Sequence, residues 1–185
     1  MPKTIEYTEA DVEKYEILSK MLQLKDLVIV GESYEVEQHL RYFYCGMKRQ
    51  IGVCPECGTV SNTIHDYQRQ REVHDVLLRG QKVKLVFDSM RLSCELCDQV
   101  FTVEVKDVVK NCSYTQRLYE EISNPARKQD ASTMAKLYGV GYKVVENILL
   151  KAGEAKLEQR REEPLKVRRL GIDEISQKKV KVTMP

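Results

Sequence analysis

Apolar residues at three-to-four spacing open the chain: Ile17, Leu18, Met21 and Leu22 form one stripe within residues 8–22, the period of a helix. Thr8 stands before Glu9 and Asp11, which supplies an N-cap and acids for the first turn. Leu27-Val28-Ile29-Val30 is a β-branched run that stops at Gly31 and predicts a short strand. Over residues 34–45 the period becomes two, with Val36, Leu40, Tyr42 and Tyr44 on one face and Glu35, Glu37, Arg41 and Phe43 on the other. Residues 70–78 and 81–92 predict two further strands joined at Arg79-Gly80. In the second of them Val83, Leu85 and Phe87 alternate with Lys82 and Lys84. Phe101-Thr102-Val103-Glu104-Val105 predicts a last strand.

From Thr115 the period is helical again. Residues 115–127 predict a helix with Leu118, Tyr119 and Ile122 inward, limited near its end by Pro125. Residues 130–149 have the layout of a helix-turn-helix. Ala135 is small where two helices approach, Gly139 suits the left-handed exit of the first helix, and Val140 plugs the turn. Val144, Val145, Ile148 and Leu149 are the expected inner stripe of the second helix. Tyr142, Lys143, Glu146, Asn147 and Lys151 face outward. Gly141 stands where Ser or Thr would ordinarily cap such a helix. An αα hairpin that binds nothing has the same layout. Pro164 then breaks the helical pattern before a strand-like segment, Leu165 to Glu174.

Two cysteine pairs change this picture. Cys54-Pro55-Glu56-Cys57 and Cys94-Glu95-Leu96-Cys97 offer four soft thiolates from two short loops, the donor set of a tetrahedral Zn²⁺ site with bonds of about 2.3 Å. Gly58 allows positive φ after the first pair. The same four residues in disulfides, as a redox pair, or on iron in a rubredoxin-like carrier are the alternatives. His65 and His74 are further candidate ligands, but four cysteines already fill the shell. Cys45 and Cys112 read as small buried hydrophobes. The hairpin between the knuckles has a thin core, so metal is expected to supply much of its stability.

Composition favours small modules over one large core: 31% of residues are charged, three are Phe and none is Trp. No apolar run approaches the roughly 18 residues of a membrane helix, and the acidic start is not a signal peptide. A reducing cytoplasmic setting, with cysteines serving metal, is the expectation. The net charge is +2, unevenly spread: residues 1–44 carry −4 and residues 115–169 carry +4, so nucleic acid would meet the helical part. Arg127, Lys128, Lys136 and Lys151 are candidate phosphate contacts, and Lys143 and Asn147 candidate base readers. Lys156, Arg160, Arg161, Lys166, Arg168 and Arg169 add a basic flank, with Glu158, Glu162 and Glu163 among them. Arg69, Arg71, Arg79, Lys82, Lys84 and Arg91 are interleaved with Glu72, Asp75 and Asp88 and read as a solvated face.

The order of these pieces resembles the N-terminal half of transposases of the ISL-three insertion-sequence family. The resemblance rests on Cys54-Pro55-Glu56-Cys57-Gly58, His65-Asp66, the segment from Asp75 to Gly80, Arg91 before Cys94-Glu95-Leu96-Cys97, Phe101, Ala135 through Leu149, and Leu170-Gly171-Ile172-Asp173-Glu174. It implies a DNA strand transferase whose RNase H-like domain holds Mg²⁺ on three carboxylates, Asp173 matching the first. The second Asp and the Glu have no counterpart before Pro185. The expectation is therefore an α+β, multi-module, truncated transposase. Its parts are an N-terminal helix (1–24), a β-rich zinc module (25–112), an all-α helix-turn-helix with a charged linker helix (113–163), and a truncated first strand of the RNase H-like domain (164–185). Zn²⁺ would be structural, and Mg²⁺ would serve only the intact family enzyme. The expected partner is double-stranded DNA of terminal inverted repeats, with self-association as a further partner and no membrane or small-molecule substrate. A complete small zinc-containing transcriptional regulator is the rival reading.

Overall fold

The computed structural model describes residues 5–124 and 129–162, with side chains to residue 159. Among the described residues it is an α+β protein with a mixed sheet and five helices. Strands β1 (Leu27–Glu35), β2 (Leu40–Met47), β5 (Ile64–Leu78) and β6 (Gln81–Ser93) lie in the order β1-β2-β6-β5. β2 and β6 are parallel and the other neighbours antiparallel. β7 (Val100–Thr102) pairs with the end of β6. Because β5 occupies the other edge there, β7 continues the line of β2. β3 (Gly52–Val53) and β4 (Val60–Ser61) form a separate small hairpin.

β6 is central, and its two faces serve different cores. Val83, Leu85 and Phe87 point to one side, where Leu27, Ile29, Phe43, Cys45 and Val73 complete a buried cluster. Met90 and Leu92 point to the other, with Cys54, Cys94, Phe101 and Val103. The hairpin between the knuckles, expected to bury little surface alone, shares its core with β1 and β2. Arg79 and Gly80 both take positive φ, so the tight turn falls where the sequence puts it.

Other expectations need correction. The helix over 8–22 is two short ones, α1 (Glu9–Lys14) and α2 (Glu16–Met21), separated at Tyr15. Ser19 Oγ donates to the Tyr15 carbonyl one turn back, a bond that bends helices, and it accepts the Ile29 amide of β1 at 2.9 Å. The inward residues are therefore Tyr15, Leu18, Ser19 and Leu22, while Ile17 is 75% and Met21 73% exposed. Thr8 and Asp11 form the capping box. β1 does not stop at Gly31 but runs through it on a register shift. β2 starts at Leu40, and Phe43 and Cys45, not Tyr42 and Tyr44, face the core. β2 runs in unbroken register with β6, Phe43 beside Leu85 and Cys45 beside Phe87, so its inward face is set by that pairing, which a period-two pattern with apolar residues on both faces does not reveal. β5 begins at Ile64, six residues earlier than expected, and Val103 and Val105 are buried without belonging to a strand.

α3 (Gln116–Ser123), α4 (Ala131–Tyr138) and α5 (Tyr142–Glu162) share one core of Leu118, Ile122, Met134, Ala135, Tyr138, Val145 and Ile148, with Val76 and Leu77 of β5 against it. Thr115 caps α3 and Asp130 caps α4 through side-chain bonds to the third helical amide. α3 ends at Ser123 with Asn124 as its C-cap, short of the expected 127 and ahead of Pro125. Leu149, expected inward, is 37% exposed because the buried stripe of α5 passes through Val145 and Ile148 instead.

Candidate metal centre and helical surface

Each cysteine pair sits in the turn of a small hairpin. Val53 pairs with Val60 around the first knuckle, and Ser93 with Val100 around the second. The knuckles are copies set 40 residues apart, as Cys57 and Cys97 are. Cys54 and Cys94 donate their amides to the carbonyls of Thr59 and Gln99 at 2.8 and 2.9 Å. In turn they accept the amides of Gly58 and Asp98 at 3.0 and 2.9 Å. Gly58 and Asp98 both take positive φ, glycine by freedom and aspartate as a tolerated exception. The equal spacing was the signal by which Thr59 and Gln99 could have been assigned as knuckle-closing residues from the sequence.

The four sulfurs lie within 4.8 Å of one another. Separations of 3.4 Å (Cys57 to Cys94), 3.6 Å (Cys54 to Cys97) and 3.7 Å (Cys57 to Cys97) are close to the edge of a tetrahedron built on Zn–S bonds, about 3.8 Å. They far exceed a disulfide bond, and all six cysteines are free. Cys54 and Cys94 are buried against the core, Cys57 and Cys97 exposed. The Thr59 hydroxyl 3.4 Å away, and then the Thr59 backbone, hold the Cys57 thiol down to about 6. Cys97 is pushed up to about 12: a Gln99 backbone bond favours its thiolate, but lost hydration and the three neighbouring sulfurs outweigh it. Zinc takes thiolates, so its uptake displaces these protons and weakens as pH falls.

His65 lies outside the cluster beside Asp66, at 3.4 Å, and His74 is elsewhere on β5. Cys45 is buried in the sheet core, and burial pushes its thiol far up. Among the described residues, three of the six scattered basic residues are ion-paired: Arg91 with Asp66, Arg69 with Asp88, and Lys84 with Glu72 at 2.7 Å.

Gly139 ends α4 at φ 70° and ψ 26°, and Val140 is tucked against the helical core. Tyr142, Lys143, Glu146, Asn147 and Lys151 of α5 and Lys136 of α4 are all exposed. Arg127, Lys128 and Asp173 lie outside the described residues, as does the expected strand over 164–185. The side chains of Arg160 and Arg161 are likewise outside it.

Sequence reasoning missed the residues that join the helices to the sheet. Asp75 of β5 is buried; it accepts from Thr115 Oγ1 at 2.6 Å and from the Arg117 guanidinium, which also donates to the Leu22 carbonyl. Burial pushes the Asp75 carboxyl up, opposed by Arg117 and then Thr115. Asp107 accepts the amides of Lys25, Asp26 and Leu27 at 2.7–2.9 Å. No spacing rule marks either carboxylate in advance.

A family model described as the zinc-finger of transposase IS204/IS1001/IS1096/IS1165 matches residues 50–97, a span that includes both knuckles and the hairpin between them. No curated protein and no solved structure matches the chain. A tetrahedral sulfur site suits zinc or iron; the match settles on zinc. The four cysteines form the zinc site of a transposase-type ribbon. Among the described residues, no helix is long and apolar enough to cross a membrane.

Proposed function

We propose that this chain binds double-stranded DNA at the terminal inverted repeats of a mobile element, with the ribbon and a helix-turn-helix formed by α4 and α5 as its two contact modules. The observation that carries the reading is the four-sulfur cluster inside a segment matching a transposase zinc finger. The three-residue turn between α4 and α5 and the exposed polar row Tyr142, Lys143, Glu146 and Asn147 also support it. In this reading α5 enters the major groove. Lys143 reads guanine and Asn147 adenine, and Lys136, Lys151, Arg127 and Lys128 hold phosphates. Copies of the chain would pair on the two ends. The transferase chemistry of the resemblance needs three carboxylates on Mg²⁺. Asp173 matches the first of these in the resemblance.

The test is a comparison of Lys143→Ala and wild type on a duplex recovered from a random-sequence pool by the zinc-loaded chain. Loss of about 1–3 kcal/mol with relaxed preference at one base pair is expected. Unchanged affinity and preference would remove Lys143 from the interface.

A further inference from the structure

Lys82 belongs to the sheet, yet its stem lies against the turn between α4 and α5. A Cβ built on Gly139 would stand 3.1, 3.6 and 3.9 Å from Cδ, Cε and Cγ of Lys82. The ammonium is one bond beyond Cε, so it lies within about 5 Å of that point. Gly139 is followed by Val140 and Gly141, and then by the exposed Tyr142 and Lys143 of α5. Strand pairing fixes the base of this side chain: Lys82 is opposite Leu40, and its amide donates to the His39 carbonyl at 3.0 Å.

Its neighbours are committed elsewhere. Lys84 pairs with Glu72 and lies over the Tyr42 ring. Arg41 pairs with Glu32 and bonds Gln81. The nearest carboxylate along the pairing row, Glu35, accepts from the Gln38 amide at 2.9 Å. Among the described residues Lys82 makes no ion pair. A lysine whose stem is packed and whose charge is unmatched among the described residues presents a fixed cation, at lower entropic cost than a freely moving one.

We infer that Lys82 is a phosphate contact of the DNA surface proposed above, extending that surface from the helices onto strand β6; the inference rests on that reading. A helix in the major groove is flanked by a phosphate backbone on each side, about 12 Å apart. A cation beside the turn that precedes the helix stands next to one of those backbones. Lys82 contributes affinity without base preference, and its packing on Gly139 ties the position of the helix pair to that of the sheet.

The experiment is a salt titration of affinity for the same selected duplex, using the full zinc-loaded chain and the variants Lys82→Met, Lys82→Arg and Lys84→Met. Methionine keeps an unbranched stem against Gly139 and removes the charge. The expected result is weaker binding by Lys82→Met at every sequence, with the slope of log K against log salt reduced in magnitude by about 0.9. Lys82→Arg restores the slope, and Lys84→Met leaves it unchanged. A wild-type slope in Lys82→Met, or an equal loss in Lys84→Met, overturns the inference. Should wild type recover no duplex, the proposed function fails instead, so the two failures are distinct.

Discussion

At Asp75 one buried carboxylate joins three parts of the chain: β5 that carries it, the N-cap of α3 through Thr115, and the end of α2 through Arg117. Its neighbour His74 faces the other side of the strand. Burial, then the nearby Lys84 ammonium, holds the His74 imidazole below its ordinary 6.5. The unfolded chain therefore takes up a proton at a pH where the folded one does not, and stability falls as pH drops from about 6.5 through the lower folded value. His74→Gln should lose less stability than wild type when urea unfolding is compared at about pH 7 and about pH 5. Equal losses would show that His74 is not the group responsible. Comparing the pair also separates this effect from zinc release, which acid promotes in both proteins.

At the scale of elements, the junction of α4 and α5 is the most exacting feature. Gly139 is left-handed and carries Lys82 against its bare Cα. Gly139→Ala should cost about 1–2 kcal/mol of unfolding free energy, with further loss if the Lys82 stem cannot yield. A cost near zero, measured by denaturant titration, would contradict this turn geometry. The turn was legible beforehand because glycine and the small Ala135 mark it, as were the Arg79-Gly80 hairpin and both knuckles, whose chemistry is local. What stayed hidden depends on partners distant in sequence. The pairing of β2 with β6 decides which residues of β2 face inward, and the break at Tyr15 follows from Ser19 serving β1. Neither leaves a period in the chain. The cysteine donor set could be read in full, whereas Asp75, Arg117 and the packing of Lys82 on the turn required the fold.

For the molecule as a whole, the ribbon and the sheet share β6: the strand carries Phe87 in the sheet core and Met90 and Leu92 in the cluster with Cys54 and Cys94, and it ends at Ser93, directly before the second knuckle. Removal of zinc should therefore loosen more than two loops. Chelation is expected to release one zinc per chain and to lower the thermal midpoint. Cys54→Ser should do the same, while Cys45→Ser should leave the zinc content intact. Full zinc content in Cys54→Ser would rule out the assigned ligand set. The central claim, that this zinc-bearing chain is a sequence-specific DNA binder, is tested most directly by selection from a random-sequence duplex pool with the zinc-loaded protein. Enrichment of one consensus, lost on chelation, is the predicted result. A pool that returns no consensus after repeated rounds, from protein verified to hold its zinc, would contradict it.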